Sequence, residues 1–490
     1  MNRFKIIYYF NLKKIFFGFF YLVLINFFIL GCQKNPATGD SEFNLLSESE
    51  EDAIGRSEHQ KIIKQFGGEY QNSKLKNYVE SLGNFLVSTS ELSDKKFTFT
   101  ILDTPIINAF ALPGGFVYLT RGLIYLCQNE AQLAGVIAHE IGHITARHSA
   151  RRYTKSVGTG VLLQILNVFS QNNFVNNLLG QSAQLYLLSY SRSQEYQADQ
   201  LAVRYMIRAG FDAKEMANFL RIMEDYSEVQ REILKIKNKV SELLKTHPNS
   251  SKRVQEVIEN YKGQTQLNPI IGKEIFLKKI DGIIYGDRPE QGFFYRDSFV
   301  HKPLGFRFSF DKDFYFINNP KSLIGITKEK TKIIFDLHQE SGKNNIDYVS
   351  KWLKIDKKQI LDFESRFHNN FNINIGRFEK NKKTFVFATL QESQELIYRF
   401  LLISTKEELK NYNEKFKKMV FSFSKLSEIQ IKSLKPPTIK VITAPSSPEL
   451  IGNVINKMNL QSMHSQKIFS NLNDSKDSKF KPNQKIKTIY

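Results

Sequence analysis

The sequence predicts an α+β chain: a mainly helical domain with a small β-sheet, then a second α+β domain, then a small tail. Three observations predict it. Apolar residues recur at three- and four-residue steps through much of residues 47–87, 130–152 and 191–209. Short alternating runs flank a Gly-Gly pair at 114–115. Beyond about residue 265 the chain turns to runs rich in Phe and Ile. At 490 residues it exceeds one compact core, and the texture divides it at 1–31, 32–265, 266–430 and 431–490.

Residues 1–31 read as an address. Lys13 and Lys14 precede an apolar run, Ile15 to Leu30, that ends in Ile29-Leu30-Gly31-Cys32. The run is short against the ~20 residues of a spanning helix and fits a secretory signal peptide with a small residue before its cleavage point. Its last four residues resemble a bacterial lipobox. That resemblance implies cleavage before Cys32 and a diacylglycerol on its thiol, where two or three acyl chains anchor stably. The expected location is the periplasmic side of a bacterial envelope. Gln33, in place of Asp, favours the outer membrane.

The formal charge is +20, and Arg3, Lys5, Lys13 and Lys14 carry four of those charges, so a chain beginning at Cys32 keeps sixteen. The lysines are scattered and no nucleic-acid motif accompanies them, so a solvated basic surface is expected and no nucleic-acid partner. Cys127, the only other cysteine, excludes a disulfide framework. Its apolar neighbours Leu123 to Leu126 make it a small buried hydrophobe.

The elements follow in order. Residues 33–45, with Pro36 and Gly39, read as a polar tether. Ser47 to Val87 is helical, and Phe97 to Leu102 alternates as a strand. Asn108 to Leu119 reads as strand, Gly-Gly turn, strand. Glu130 to Arg152 reads as one helix, and Ser191 to Ala209 as another that Gly210 stops. The apolar stretches between, Val161 to Phe169, Phe174 to Leu179 and Leu185 to Tyr190, suit core helices, a lid or a membrane-touching surface. In the second domain, residues 294–316, 332–337, 371–378, 383–390 and 397–403 are β-like, with helices near 348–355 and 407–418. It carries no catalytic constellation. Pro436-Pro437 opens a linker to the tail.

Ala138-His139-Glu140-Ile141-Gly142-His143 carries the chemistry. Helical positions four apart share a face, so His139 and His143 can offer two imidazole nitrogens to one cation. Glu140 lies one step, about 100°, round the helix. It can accept a proton from an attacking water without ligating the metal. Two neutral nitrogens and an open position suit Zn²⁺, one per chain. A third-histidine pattern would require Gly at 146 and His at 149, where Ala146 and Ser149 stand. His148 is expected to point away, about 140° from His143 on a continuing helix. The third ligand is then a Glu from a later helix, and Glu195, 52 residues after His143, is the best candidate. Asp199, four residues on, can accept the second N–H of a ligating imidazole and fix its tautomer.

Residues 108–124 (NAFALPGGFVYLTRGLI), 134–152 (AGVIAHEIGHITARHSARR) and 191–199 (SRSQEYQAD) resemble the HtpX-like and CAAX-prenyl-protease-like zinc metallopeptidases, gluzincins, in their soluble envelope branch. The likeness covers roughly 35–260, including Asn35-Pro36-Ala37-Thr38-Gly39. It implies a mainly helical gluzincin domain, ligands His139, His143 and Glu195, base Glu140 and support from Asp199. It further implies that the strand after Gly114-Gly115 is an edge strand pairing with extended substrate. Thr246-His247-Pro248 to Arg253 resembles a later family element. Arg253 would stabilise an oxyanion, and His247 either binds the metal and closes the site or is a capping or surface residue. The tail resembles a degraded LysM module, with Asn471-Leu472 and Phe480 to Ile486 matching its closing half and Ser446-Ser447-Pro448 replacing the usual opening. The first expectation for such a degenerate tail is that it keeps the module's fold, and the second is that it still contacts peptidoglycan.

The function these readings imply is a zinc-dependent endopeptidase of the envelope acting on misfolded or stalled proteins, its partners being unfolded or misassembled envelope proteins and, through Cys32, the membrane. The alternative is a chaperone-like periplasmic assembly factor whose zinc site is mostly closed.

Overall fold

The computed structural model describes residues 32–158, 189–234, 242–247, 250–260, 267–319, 321–339, 344–393, 395–475, 479–481 and 483–490. The expected signal peptide and most of the apolar 161–190 stretch lie outside them. Two compact units emerge, residues 1–224 with 241–279, and residues 225–240 with 280–490.

The first unit opens with a hairpin, β1 (Cys32–Lys34) on β2 (Ser41–Phe43). The expected tether is therefore packed structure. The Asn35 side chain donates to the Ala146 carbonyl (3.4 Å), Thr154 Oγ1 accepts from Leu45 N–H (2.9 Å), and Arg151 reaches Glu42 (3.0 Å). Polarity misled the sequence reading, because these polar groups satisfy buried partners rather than water.

The 47–87 stretch divides into α1 (Glu48–Gln65) and α2 (Ser73–Ser88). Ser47 and Glu50 form a reciprocal capping box at the start of α1, and Gly67 and Gly68, both at positive φ, follow its end. A three-stranded sheet comes next, β3 (Thr98–Leu102), β4 (Ala109–Leu112) and β5 (Phe116–Thr120), in the order β3-β5-β4. Gly114 and Gly115 turn β4 into β5 at φ 82° and 92°, and an added Cβ there would meet Asp52 Cα and the Lys96 carbonyl at 2.8 Å. The strand after this turn, β5, is the central one: it runs parallel to β3 and antiparallel to β4. The edge-strand expectation is thus corrected. The nonlocal β3–β5 pairing takes the outer side of β5 and leaves β4 as the edge beside the next long helix.

After α3 (Arg121–Leu126), Asn129 caps α4 (Glu130–Thr145), which is buried along nearly its whole length. Cys127 is fully buried, as its neighbours predicted. The helix expected to run on to Arg152 breaks at Arg147, φ 52°, and resumes as α5 (His148–Gly158). Arg147 is held there by its own side chain, which donates to Glu51 (3.2 Å) and to the Leu46 carbonyl (2.8 Å). Ser191 and Gln194 box the start of α6 (Arg192–Arg208). Then come α7 (Lys214–Leu234), α8 (Glu242–Thr246) and α9 (Ser250–Asn260).

The second unit holds α+β structure, as its texture predicted. Strands β6 (Phe293–Phe294), β7 (Ser298–His301) and β8 (Phe306–Ser309) form a four-stranded sheet with Ser424–Lys425. A seven-stranded sheet comprises β9 (Tyr315–Asn319), β10 (Ser322–Ile326), β11 (Lys332–Gln339), β12 (Leu361–His368), β13 (Phe371–Lys380), β14 (Lys383–Gln391) and β15 (Leu396–Ser404), in the order β12-β13-β14-β15-β11-β10-β9. Every pairing in it is antiparallel. Helices Ile346–Leu353 and Lys406–Phe421 accompany it. Its core is dominated by Phe, among them Phe306, Phe308, Phe335, Phe400 and Phe423. Pro436-Pro437 is no free linker, since the Pro437 carbonyl accepts from Tyr285 N–H (2.8 Å). The tail runs strand, helix, helix, strand: Ile439–Thr443 pairs antiparallel with Lys485–Ile489, with Pro448–Lys457 and Ser465–Leu472 between.

Candidate metal centre

Helix α4 delivers two imidazoles from one face, and Gly142 lets α6 approach it closely. A Cβ at Gly142 would stand 3.0 Å from the Ala198 carbonyl. That contact brings Glu195, in the first turn of α6, opposite the two histidines. His139 Nε2 and His143 Nε2 are 3.0 Å apart. Glu195 Oε1 lies 3.5 Å from His143 Nε2, and Oε2 lies 3.7 Å from His139 Nε2. His247, just after α8, adds a fourth donor: its Nδ1 is 3.1 Å from His139 Nε2 and 2.9 Å from Glu195 Oε1. It is buried, so the surface reading of His247 is corrected.

These four residues could hold one metal ion, with donor atoms all within 4.8 Å of one another. Ligand bonds of about 2.0–2.1 Å in a tetrahedron put neighbouring donors ~3.3 Å apart. Five of the six donor separations, at 2.9–3.7 Å, bracket that edge. Three ring nitrogens and a carboxylate crowding one point are a poor arrangement for hydrogen bonds alone and a good one for a cation. The donor set fits zinc.

Protonation suits ligation at His143 and Glu195, and opposes it at His247. Burial drives the His143 pKa well down, and the neighbouring imidazoles add to that, so the ring is neutral. Burial would raise Glu195, but the charges of His247, His139 and Arg253, with the His247 hydrogen bond, hold it down to about 2. Burial would lower His247, yet the Glu195 carboxylate outweighs it and lifts the ring to about 8. Glu140 is different. Both its oxygens are buried without a hydrogen-bond partner, Oε1 stands 3.7 Å from His247 Nε2, and burial pushes its pKa up. An ionisable group left in that state is a reservoir for a proton.

Supporting contacts complete the site. Asp199 Oδ1 lies 2.9 Å from His139 Nδ1, at an angle that falls short of a hydrogen bond. Arg253, expected to face an oxyanion, instead donates to Glu195 Oε2 (3.1 Å) and to Asp199 Oδ2. It positions the two carboxylates of α6.

Two residues were missed. His148 was expected to point away, but the break at Arg147 turns it back, and its Nδ1 lies 2.8 Å from His143 Nδ1. With His143 Nε2 turned to the donor cluster, its Nδ1 carries the proton and His148 Nδ1 accepts. His148 Nε2–H then donates to Gln197 Oε1 (2.9 Å), which also accepts from Arg151 (2.7 Å). Burial holds the His148 pKa near 3, consistent with a neutral acceptor. Tyr190 stacks on the His143 ring, centroids 3.8 Å apart, and Arg152 lies 4.2 Å over the tyrosine. No spacing rule reaches Tyr190. The chain gives a signal for His148 only if the helix break is foreseen.

A helix pair offering two histidines, a glutamate from the second helix and, one step along, a buried glutamate without a hydrogen bond defines the zinc metallopeptidase class. Residues 73–260 match the profile of peptidase family M48, and the chain carries an M48 metallopeptidase domain. The beta-barrel assembly-enhancing protease of Yersinia pestis is 33% identical over 212 residues, covering 41% of this chain and 42% of that protein. Its namesake in Escherichia coli K12 is 33% identical over 191 residues, 37% of this chain and 38% of that protein. Mitochondrial metalloendopeptidase OMA1 of Schizosaccharomyces pombe is 29% identical over 230 residues, 46% of this chain and 65% of that protein. The chain thus spans between 38% and 65% of the length of these relatives. Among solved structures, a cyanobacterial PsbP protein from Synechocystis covers 26% of this chain at 8% identity and TM-score 0.21.

Proposed function

We propose that this chain is a zinc-dependent endopeptidase of the bacterial cell envelope, hydrolysing peptide bonds of misfolded or stalled envelope proteins. The observation that carries the reading is Glu140, a buried carboxylate with no hydrogen-bond partner beside three imidazoles and Glu195. His139, His143 and Glu195 would hold the metal, which when bound supplies a Lewis acid and lowers the pKa of a water to about 7. Glu140 accepts a proton from the attacking water and returns it to the leaving amine, a role that its raised pKa suits. Asp199 and His148 orient His139 and His143, and Arg253 fixes the carboxylates of α6. The envelope setting is supported by the lipobox-like Ile29-Leu30-Gly31-Cys32, with Cys32 as lipid anchor, and by relatives named for β-barrel assembly. No helix among the described residues is long and apolar enough to cross a membrane.

The test is Glu140→Gln in zinc-loaded protein, assayed on unfolded casein with and without chelator. Cleavage is expected to fall by about 10²–10⁴-fold with zinc content unchanged. Lost zinc would make Glu140 structural and end the proposal.

His247 favours a second reading. Filling the fourth donor position, it would close the site, as in an assembly factor whose binding surface outweighs its proteolysis. His247→Ala then raises cleavage; unchanged cleavage would remove the gate. For the tail we propose peptidoglycan contact, supported by its strand-helix-helix-strand order; no retention of the full chain on peptidoglycan would contradict it.

A further inference from the structure

The seven-stranded sheet of the second unit finishes its two edges differently. At β9 the Gln461 side chain stands where another strand would. Phe316 N–H donates to Gln461 Oε1 (2.6 Å), and Gln461 Nε2 donates to the Phe316 carbonyl (2.8 Å). At the far edge, β12 pairs with β13 on one side and with no described strand on the other.

That bare edge has a defined hydrogen-bonding phase. Asn369 and Asn370, both left-handed at φ 49° and 67°, make the two-residue turn between β12 and β13. A hairpin of this kind closes on a hydrogen-bonded pair, here His368 with Phe371. Residues 364, 366 and 368 therefore spend their backbone groups on β13, and the N–H and C=O of Ser365 and Phe367 point outward. Phe367 is 71% exposed, and Glu364 and Arg366 pair with each other along the strand at 2.8 Å. Charges and bulges commonly blunt such edges, and β12 has a register shift between Leu361 and Glu364. Its charges, however, are arranged so that the strand complements itself.

We propose that β12 pairs antiparallel with β12 of a second copy of this chain, about a two-fold axis through Ser365. Ser365 meets its own mate in a hydrogen-bonded pair, using the outward groups. Glu364 of each copy then lies opposite Arg366 of the other, in the non-hydrogen-bonded positions where facing side chains come closest. Phe363 lies opposite Phe367, covering the exposed ring. The charges select this register. An axis through Arg366 or Glu364 would set like charge against like, and one through Phe367 would set Arg366 against His368. An isologous contact of this form is closed, so it ends at a dimer. The dimer is independent of the metal centre and stands or falls separately from the peptidase reading.

The experiment uses the detergent-solubilised full chain carrying Ser365→Cys, treated with a short bismaleimide, with the cross-link mapped by mass spectrometry. A dimer linked 365 to 365 is expected. Adding Arg366→Glu should cut its yield about tenfold, because both facing pairs become repulsive. Adding Glu364→Arg as well should restore it, since the swapped strand complements itself again. Circular dichroism and casein cleavage, expected unchanged, separate this from misfolding. A monomer with no 365–365 link overturns the proposal, as does a link indifferent to Arg366→Glu. Cross-linking to a different polypeptide would equally overturn it, giving the edge to a foreign strand.

Discussion

The interior around α4 and the interior of the seven-stranded sheet solve opposite problems. Around α4, His139, Glu140, His143, His148, Glu195, Asp199 and His247 are all buried. Against the sheet the buried side chains are aromatic, aliphatic or uncharged polar: Phe306, Phe308, Phe335, Phe400 and Phe423 at the centre and, among the described residues of 315–404, Asn374, Thr389 and Gln391 but no charged group. Burying ionisable groups costs several kcal/mol each unless partners repay it, whereas every buried Phe contributes favourably. The difference teaches where each region gets its order. The sheet is held by its own packing, and the α4 site is held by what its charges bind.

Metal removal should sharpen that contrast most. A ligand that binds only the folded state stabilises by about 4 kcal/mol at a thousandfold excess over its Kd. Chelation is expected to speed hydrogen exchange in α4 and α6 and leave β13–β15 unchanged; equal acceleration in both would break the comparison. Phe400→Ala probes the other side. It should cost the sheet about 3–5 kcal/mol in denaturant unfolding, with zinc content intact. A smaller effect comes from His148→Phe, which leaves the His143 Nδ1–H without its acceptor. Zinc affinity, measured by competition with a chromophoric chelator, should fall about 10–100-fold, without changing sheet stability. The smallest is Gln461→Ala. Losing two hydrogen bonds on β9 should cost about 1–2 kcal/mol, read as faster exchange at Phe316 alone.

What was legible in the sequence was what local periodicity controls. His139, Glu140 and His143 share one helical segment, and Glu195 and Asp199 another, so four-residue spacing is enough to place each set. Three contacts needed more than spacing. His148 depends on one left-handed residue, Arg147, whose conformation is held by Glu51 and the Leu46 carbonyl far back in the chain. Tyr190 reaches His143 from 47 residues on, with no periodic signal between them. The central place of β5 follows from a parallel pairing with β3, which no hairpin rule foresees. In the second unit the strands read as β-like were those rich in Phe and Ile. β12, Leu-Asp-Phe-Glu-Ser-Arg-Phe-His, alternates well but is mostly exposed, so its apolar signal was weak.

Anomalous diffraction at the zinc edge from crystals of zinc-loaded protein addresses the centre directly. One peak per chain is expected, about 2.0–2.1 Å from His139 Nε2, His143 Nε2 and a Glu195 oxygen, with Glu140 outside bonding distance. A peak ligated by Glu140, or one away from these three side chains, would contradict the assignment.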